Sequence, residues 1–293
     1  MTIEVAITFD DLPVSGASEI IPSRIIRQIL NTLAKHHITA VYGFMNGNTF
    51  QVSPYNSRDI SEYHQSYTHI LHEWVSQGHL LGNHTFSHMD LNKVSAGEYI
   101  DDIRDNEVLL KKFMRDKNYK YFRYPYLHEG ETQEKRDKIR QFLIAHQYQF
   151  AHVTTMPEEY RWNQTYIHLL AKRDQKALEL LKNNTVKHCV DMLYFSRSVG
   201  TKIFQRDIKY ILLLHAQVFT AFILDDILTA YKNHNVKFIS LPDALSDEAY
   251  QENPNIVNSE SLCFLQQLCY ARELEYSGYT LPQSTSLIET PAN

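Results

Sequence analysis

At 293 residues, 43% of them hydrophobic and 22% charged, the chain is long enough for one large α/β barrel or two ordinary domains with an ample core. A net charge of −5 without a long basic run argues against nucleic acid or an anionic membrane as the main partner. No apolar run approaches the ~20 residues of a membrane helix. The three cysteines, Cys189, Cys263 and Cys269, are too few and too scattered for a disulfide framework or a thiolate metal site and read as buried free thiols. Met1 to Glu4 lead straight into the first strand and leave no room for a signal peptide, so the expectation is a cytoplasmic protein. A processed periplasmic or secreted form would begin in the same way. The glycosylation sequons at Asn83, Asn163 and Asn183 read as chance.

In chain order, residues 5–9 predict a short buried strand that runs into Asp10, Asp11 and then Pro13. Neighbouring side chains on a strand point in different directions, so one carboxylate can hold a metal while the other moves a proton. The same pair is also ordinary turn chemistry. Residues 23–36 predict a helix with apolar Ile25, Ile26, Ile29, Leu30 and Leu33 and Ser23 as its cap. A strand at 39–45 is followed by a long polar loop at 46–66, a helix at 67–77 closed by Gly78, and a strand at 79–83. That strand empties into His84-Thr85-Phe86-Ser87-His88.

A helix at 98–115, a strand at 119–124 broken by Pro125, a charged helix at 132–146 and a strand at 149–154 come next. Residues 165–206 predict a helical stretch interrupted around Asn183 and Gly200. A strand at 210–214 ending at His215, a helix at 224–234 and a strand at 236–241 complete the alternation, and the tail holds a helix at 261–274 and a polar end. Strand and helix alternate along nearly the whole length, which predicts parallel βα units in one barrel-like α/β domain. No Gly-rich loop follows any strand, which disfavours a nucleotide-binding doubly wound fold.

The residues with chemical potential fall at strand ends: Asp10 and Asp11, His84 and His88, Arg123 with Pro125, and His215. In a βα barrel those ends share the face that carries active sites. His84 and His88, four apart, share one face if the chain there is a helical turn. With one carboxylate they would form a His₂-carboxylate set that leaves a position open, as in catalytic zinc sites; taken alone they could equally cap a helix. Arg123 could pair with a carboxylate and keep it ionised. His215, delivered by an apolar strand, could act as a proton donor.

Thr8-Phe9-Asp10-Asp11, His84-Thr85-Phe86-Ser87-His88, Arg123-Tyr124-Pro125-Tyr126 and Leu213-Leu214-His215 together resemble the ordered motifs of the polysaccharide deacetylases, carbohydrate esterase family 4. The motifs span residues 8–215 and the strand pattern extends the match to about 245. The resemblance implies a distorted (β/α)7 barrel over residues 1–245, with 246–293 as a C-terminal helical extension and polar tail. It implies a metal-dependent hydrolase that removes acetyl groups from an N-acetylated sugar or glycan, with neither nucleic acid nor membrane as partner. Asp11, His84 and His88 would bind a divalent metal, zinc first, with cobalt, nickel or another first-row ion as substitutes. Asp10 would be the catalytic base, Arg123 its orienting partner, and His215 the acid that protonates the leaving group. The Tyr126 N–H would stabilise the oxyanion beside Pro125, and Leu213 would line the acetyl pocket.

Three positions depart from the family pattern. Leu12 stands where Gly usually follows the two acids. Trp162 fits the family's Trp beside the acidic His, but the accompanying Asp is missing, and Glu159 is a possible substitute for it. His128 and Glu129, after the Pro-Tyr, could contact substrate or belong to a solvated loop. Two other readings fit the same residues: a C–N hydrolase of a small linear or cyclic amide, and a glycan-binding protein that has lost catalysis.

Overall fold

The computed structural model describes residues 2–16, 20–50, 60–257 and 259–276. Its elements run β1 (Ile3–Leu12), α1 (Pro22–Lys35), β2 (Tyr42–Met45), α2 (Ile60–Ser76), β3 (Leu80–Asn83), α3 (Ala96–Met114), β4 (Tyr121–Phe122) and α4 (Gln133–Ala145). They continue with β5 (Gln149–Phe150), α5 (Asn163–Lys172), α6 (Gln175–Phe204), β6 (Tyr210–His215), α7 (Val218–Asn233), β7 (Val236–Ile239), α8 (Leu241–Leu245) and α9 (Phe264–Ala271). The predicted polar loop falls partly, at 51–59, and the polar end from 277 falls wholly, outside the described residues.

All the strand pairs are parallel, in the order β5-β4-β3-β2-β1-β6, with β7 added against β1. Val5 meets Tyr210 of β6 and Phe238 of β7, so those two strands lie on opposite edges of β1. β7 therefore shares the edge that β2 occupies further along. The sheet closes on itself through the chain after β5. Gln149 and Ala151 N–H groups donate to Lys120 and Phe122 carbonyls on the β4 side, whereas the Thr154 and Thr155 N–H groups donate to the Ile211 carbonyl of β6. Leu213 N–H answers by donating to the Thr155 carbonyl. This exchange of partner within one extended segment explains why β5 is two residues long where the sequence predicts six. The result is the expected distorted seven-stranded βα barrel.

α1 buries the five predicted residues, Ile25, Ile26, Ile29, Leu30 and Leu33, each worth about 1.5–3 kcal/mol of transfer free energy. It starts at Pro22, preorganised for the first turn, so Ser23 is not its cap. Gly78 closes the chain after α2 with φ +89°. The predicted breaks at Asn183 and Gly200 do not occur. The interruption is at Arg173, with φ 55°, and Asp174, whose carboxylate accepts the Ala177 N–H and starts α6. α6 then runs for 30 residues. Gly200 sits in it because a Cβ there would come 3.2 Å from the Tyr210 hydroxyl of β6. α7 starts six residues before its predicted start at 224, because Val218, Phe219, Ala221 and Ile223 are all buried and leave no amphipathic pattern to read. α9 is held by Phe264, Leu265 and Leu268 in the core and by the Phe264 N–H donating to the Val153 carbonyl. The three cysteines are buried and free. Among the described residues no helix is long and apolar enough to cross a membrane.

Candidate active site at the strand ends

β1 continues past Phe9 and carries both acids within the strand. Its ladder passes from Phe9 opposite Gly43 to Leu12 opposite Met45, three residues against two. Such a bulge cancels the alternation of side chains, and Asp11 absorbs it with φ 63°. Asp10 and Asp11 therefore line one cleft, instead of diverging as consecutive strand residues would. Leu12 does not open a loop; it is fully buried and fills the space over Gly43, where a Cβ would lie 2.6 Å from Leu12 Cδ2.

His84 and His88 are brought together without a helical turn. The chain from 84 to 88 is irregular, bent by Thr85 at φ 60° and His88 at φ 55°. Asn83 Oδ1 accepts the Thr85 N–H, Asn46 Nδ2 donates to the His84 and Thr85 carbonyls, and Asp102 Oδ2 accepts the Ser87 N–H. Asn106 Nδ2 donates to Asn83 Oδ1 and the Met45 carbonyl. These supports escape a motif-based reading of the sequence. Their signal was Asp102 and Asn106, two polar residues one helical turn apart in the buried register of Tyr99, Ile103 and Leu110. Asn83 is fully buried and committed to Ile103 and Tyr148, which agrees with its sequon being chance.

The His84 ring is buried, and its Nδ1 lies 2.8 Å from the Arg123 carbonyl. A carbonyl only accepts, so Nδ1 carries the proton and Nε2 is bare. Burial, with the neighbouring His88, pushes this imidazole down to about 3, which keeps it neutral. Its Nε2 lies 3.6 Å from Asp11 Oδ1, and His88 Nε2 lies 3.3 Å from the same oxygen. Asp11 Oδ1 is buried and accepts no hydrogen bond among the described residues. The three ligand atoms lie within 4.8 Å of one another. An orphaned carboxylate oxygen between two imidazole nitrogens is the donor set that fits a divalent first-row cation.

Asp10 lies opposite His215 in the β1–β6 ladder. Arg123, 1% exposed, donates from one nitrogen to Asp10 Oδ1 at 3.0 Å and Oδ2 at 3.3 Å, from another to Thr8 Oγ1, and from Nε to the Ala151 carbonyl. Its guanidinium rests on the Phe44 ring at 4.5 Å. Burial lifts the Asp10 carboxyl to about 6 even against this guanidinium. Glu159, fully buried, takes the place beside His215. Its Oε1 accepts the His215 N–H at 2.6 Å and the Thr220 hydroxyl at 3.1 Å, and lies 3.4 Å from His215 Nδ1. Burial works against the imidazolium, but the Glu159 carboxylate, joined by Asp11 and Asp10, outweighs it and raises His215 to about 9.

The cleft also takes in Leu213, Tyr126 and Tyr160. Tyr126 has φ 57°, and its half-exposed ring stands 4.5 Å from that of His88. Asp11, Thr85, His88, Tyr126, Leu127 and Glu158 all have positive φ without being glycine, a clustering of strain found at functional sites. Trp162 and Pro125 do not line the cleft. Trp162 is buried with its ring 5.4 Å from His188, closing the short turn 159–162 that carries Glu159. Nor are His128 and Glu129 a solvated loop: His128 bonds Asp90, and Glu129 pairs with Arg136 and Arg140.

A family model described as polysaccharide deacetylase matches residues 2–151, just over half of the chain. A peptidoglycan-N-acetylglucosamine deacetylase from Bacillus cereus is 30% identical over 142 residues, covering 48% of this chain and 43% of that protein. The chain thus spans less than half the length of that relative. The structure of a chitin deacetylase from Colletotrichum lindemuthianum superposes with a TM-score of 0.55 at 18% identity, over 87% of this chain and 93% of that one. A family 4 pseudoenzyme from Bacillus anthracis gives 0.54 at 14% identity, over 84% and 66%. At such identities the superpositions speak for the barrel alone, while the sequence model, which takes in the first two strand-end motifs and the Arg-Tyr-Pro-Tyr run, speaks for descent. The chain belongs to the polysaccharide deacetylase family.

Proposed function

We propose that the protein is a metal-dependent hydrolase that removes acetyl groups from an N-acetylated sugar or glycan. The observation that carries this reading is the orphaned Asp11 Oδ1 between two imidazole nitrogens, in the same cleft as Asp10 and His215. Asp11, His84 and His88 would hold the ion, with zinc the first choice. When bound, a divalent ion supplies Lewis acidity that polarises the acetyl carbonyl and eases ionisation of water. Asp10 takes the proton of the attacking water, and Arg123 keeps its carboxylate fixed. The Tyr126 N–H donates to the carbonyl oxygen as negative charge develops there, and Leu213 borders the acetyl methyl. His215 delivers its proton to the leaving nitrogen as the C–N bond breaks, giving acetate and a free amine. Pro125 and Trp162 act from behind, fixing the turns that carry Tyr126 and Glu159. Asp10 and His215 line the same cleft, which weighs against a glycan-binding protein without catalysis.

Acetate release from chitin oligomers or N-acetylated peptidoglycan tests the reading; ammonia or a ring-opened product from a small amide, with no acetate from either glycan, would replace it with the other C–N hydrolase. Elemental analysis of purified protein is expected to find roughly one divalent ion per chain, reduced to background in His84→Ala. An unchanged metal content in that variant would place the ion elsewhere.

Glu159→Gln gives a pH signature. A raised imidazole pKa means that the protonated acid is present below about 9 and lost above it. Without the Glu159 charge the burial penalty is opposed far less, so the basic limb of the kcat profile moves toward acid by about 2 pH units, and turnover at pH 8 falls about tenfold. A basic limb that stays in place would remove Glu159 from this role.

A further inference from the structure

The outer wall of the cleft is made by chain from far along the sequence. Ser261, exposed in the stretch before α9, lines the cleft with Tyr126 and His88. Its Oγ lies 3.3 Å from His128 Nε2, and His128 Nδ1 lies 2.8 Å from Asp90 Oδ1. The Asp90 and His128 side chains are only 9% and 14% exposed, so a mostly buried relay ends in a hydroxyl that faces solvent.

An ionised Asp90 only accepts; it also takes the Asn92 N–H at 3.0 Å and lies 3.1 Å from Lys93 Nζ. His128 therefore donates from Nδ1 to Asp90, which fixes the ring and aims Nε2 at Ser261. A hydroxyl carries one hydrogen and two lone pairs, so Ser261 Oγ keeps hydrogen-bonding capacity for the cleft beyond its bond to His128. The placement is held by other contacts. Glu129, next to His128, accepts from Gln267 of α9, and Arg136 of α4 lies 3.1 Å from Glu129 and donates to Asn253. Phe264, three residues after Ser261, is buried and bonded to Val153. The loop carrying Tyr126 and the segment carrying Ser261 are thus locked together.

We propose that Ser261 is a substrate subsite, a fixed hydrogen-bonding partner for a sugar hydroxyl, with His128 as its positioning residue. The proposal rests on the glycan reading above. The Tyr126 ring neighbours those of both His88 and His128, with centroids 4.5 and 5.7 Å away. With two side chains intervening between Ser261 and His88 along these contacts, we assign the subsite to the sugar adjoining the one whose acetyl group reacts.

The test is calorimetric titration of the full, metal-loaded chain with the N-acetylglucosamine tetramer, with turnover blocked by Asp10→Asn. Adding Ser261→Ala is expected to raise Kd roughly 5- to 10-fold. Removing an exposed hydroxyl leaves folding untouched, so the loss reads binding. His128→Phe, which frees the hydroxyl to rotate, is expected to lose part of the affinity, and His128→Gln, whose amide oxygen can accept from Ser261, to recover it. Equal Kd with and without Ser261→Ala would overturn the subsite alone. No binding in the parent would overturn the glycan reading and the subsite with it. A covalent adduct on Ser261 after exposure to phenylmethanesulfonyl fluoride, found by mass spectrometry, would overturn the hydrogen-bonding role in favour of a nucleophile.

Discussion

Asp10→Asn is expected to lower acetate release by about 10³-fold while the protein keeps its metal, since a general base typically contributes 10²–10⁴. The amide is nearly isosteric with the carboxylate and can still accept from Arg123 through its oxygen. It cannot take a proton from water. Metal content should be unchanged because the three donor atoms belong to Asp11, His84 and His88, and the nearer Asp10 oxygen stands 3.8 Å from His84 Nε2. Asp11→Asn should do the reverse, losing ion and activity together. Two adjacent carboxylates then separate into two functions by two assays, elemental analysis and acetate release. If Asp10→Asn kept activity within about tenfold of wild type, the base would have to be sought elsewhere in the cleft.

The residues that meet at the cleft were legible in the sequence where they end an apolar run. Asp10, Asp11, His84, Arg123 and His215 each close or follow a buried stretch, and in a βα barrel that position alone puts them on one face. The conformations between them were not legible, because they depend on partners brought by other segments. The bulge that turns Asp11 into the cleft exists only relative to Gly43 and Met45 of β2. The bend that brings His88 to His84 is held by Asn46, Asp102 and Asn106, all outside its own motif. A four-residue spacing suggested a helical turn and reached the right pair through the wrong geometry. Gly200 reads locally as a break, yet its meaning lies in Tyr210, on the strand that α6 covers. Ser261 has no local signal at all; only the docking of α9 brings it to the cleft. Residue types at element ends travel well from sequence to structure, and backbone irregularities do not.

Arg123→Met is expected to cost about 3–5 kcal/mol of stability and to abolish activity, because it leaves a buried carboxylate without its counter-charge. The side chain is 1% exposed, and the Asp10 carboxylate it faces is 5% exposed. The same guanidinium also satisfies Thr8 and the Ala151 carbonyl, which tie β1 to the segment that closes the barrel. Methionine keeps much of the volume and the contact with Phe44, so the deficit isolates charge and hydrogen bonding from packing. Arg123→Lys should rescue little, since one ammonium cannot span three acceptors in a planar fork. Urea unfolding of Arg123→Met, Asp10→Asn and the double variant closes the cycle. If the pair is coupled as described, the double variant is more stable than Arg123→Met, because the stranded charge is gone. Additivity within ~0.5 kcal/mol would mean that Arg123 stabilises the barrel through Thr8 and Ala151 alone. Its hold on Asp10 would then be a matter of position, without energetic dependence of one charge on the other.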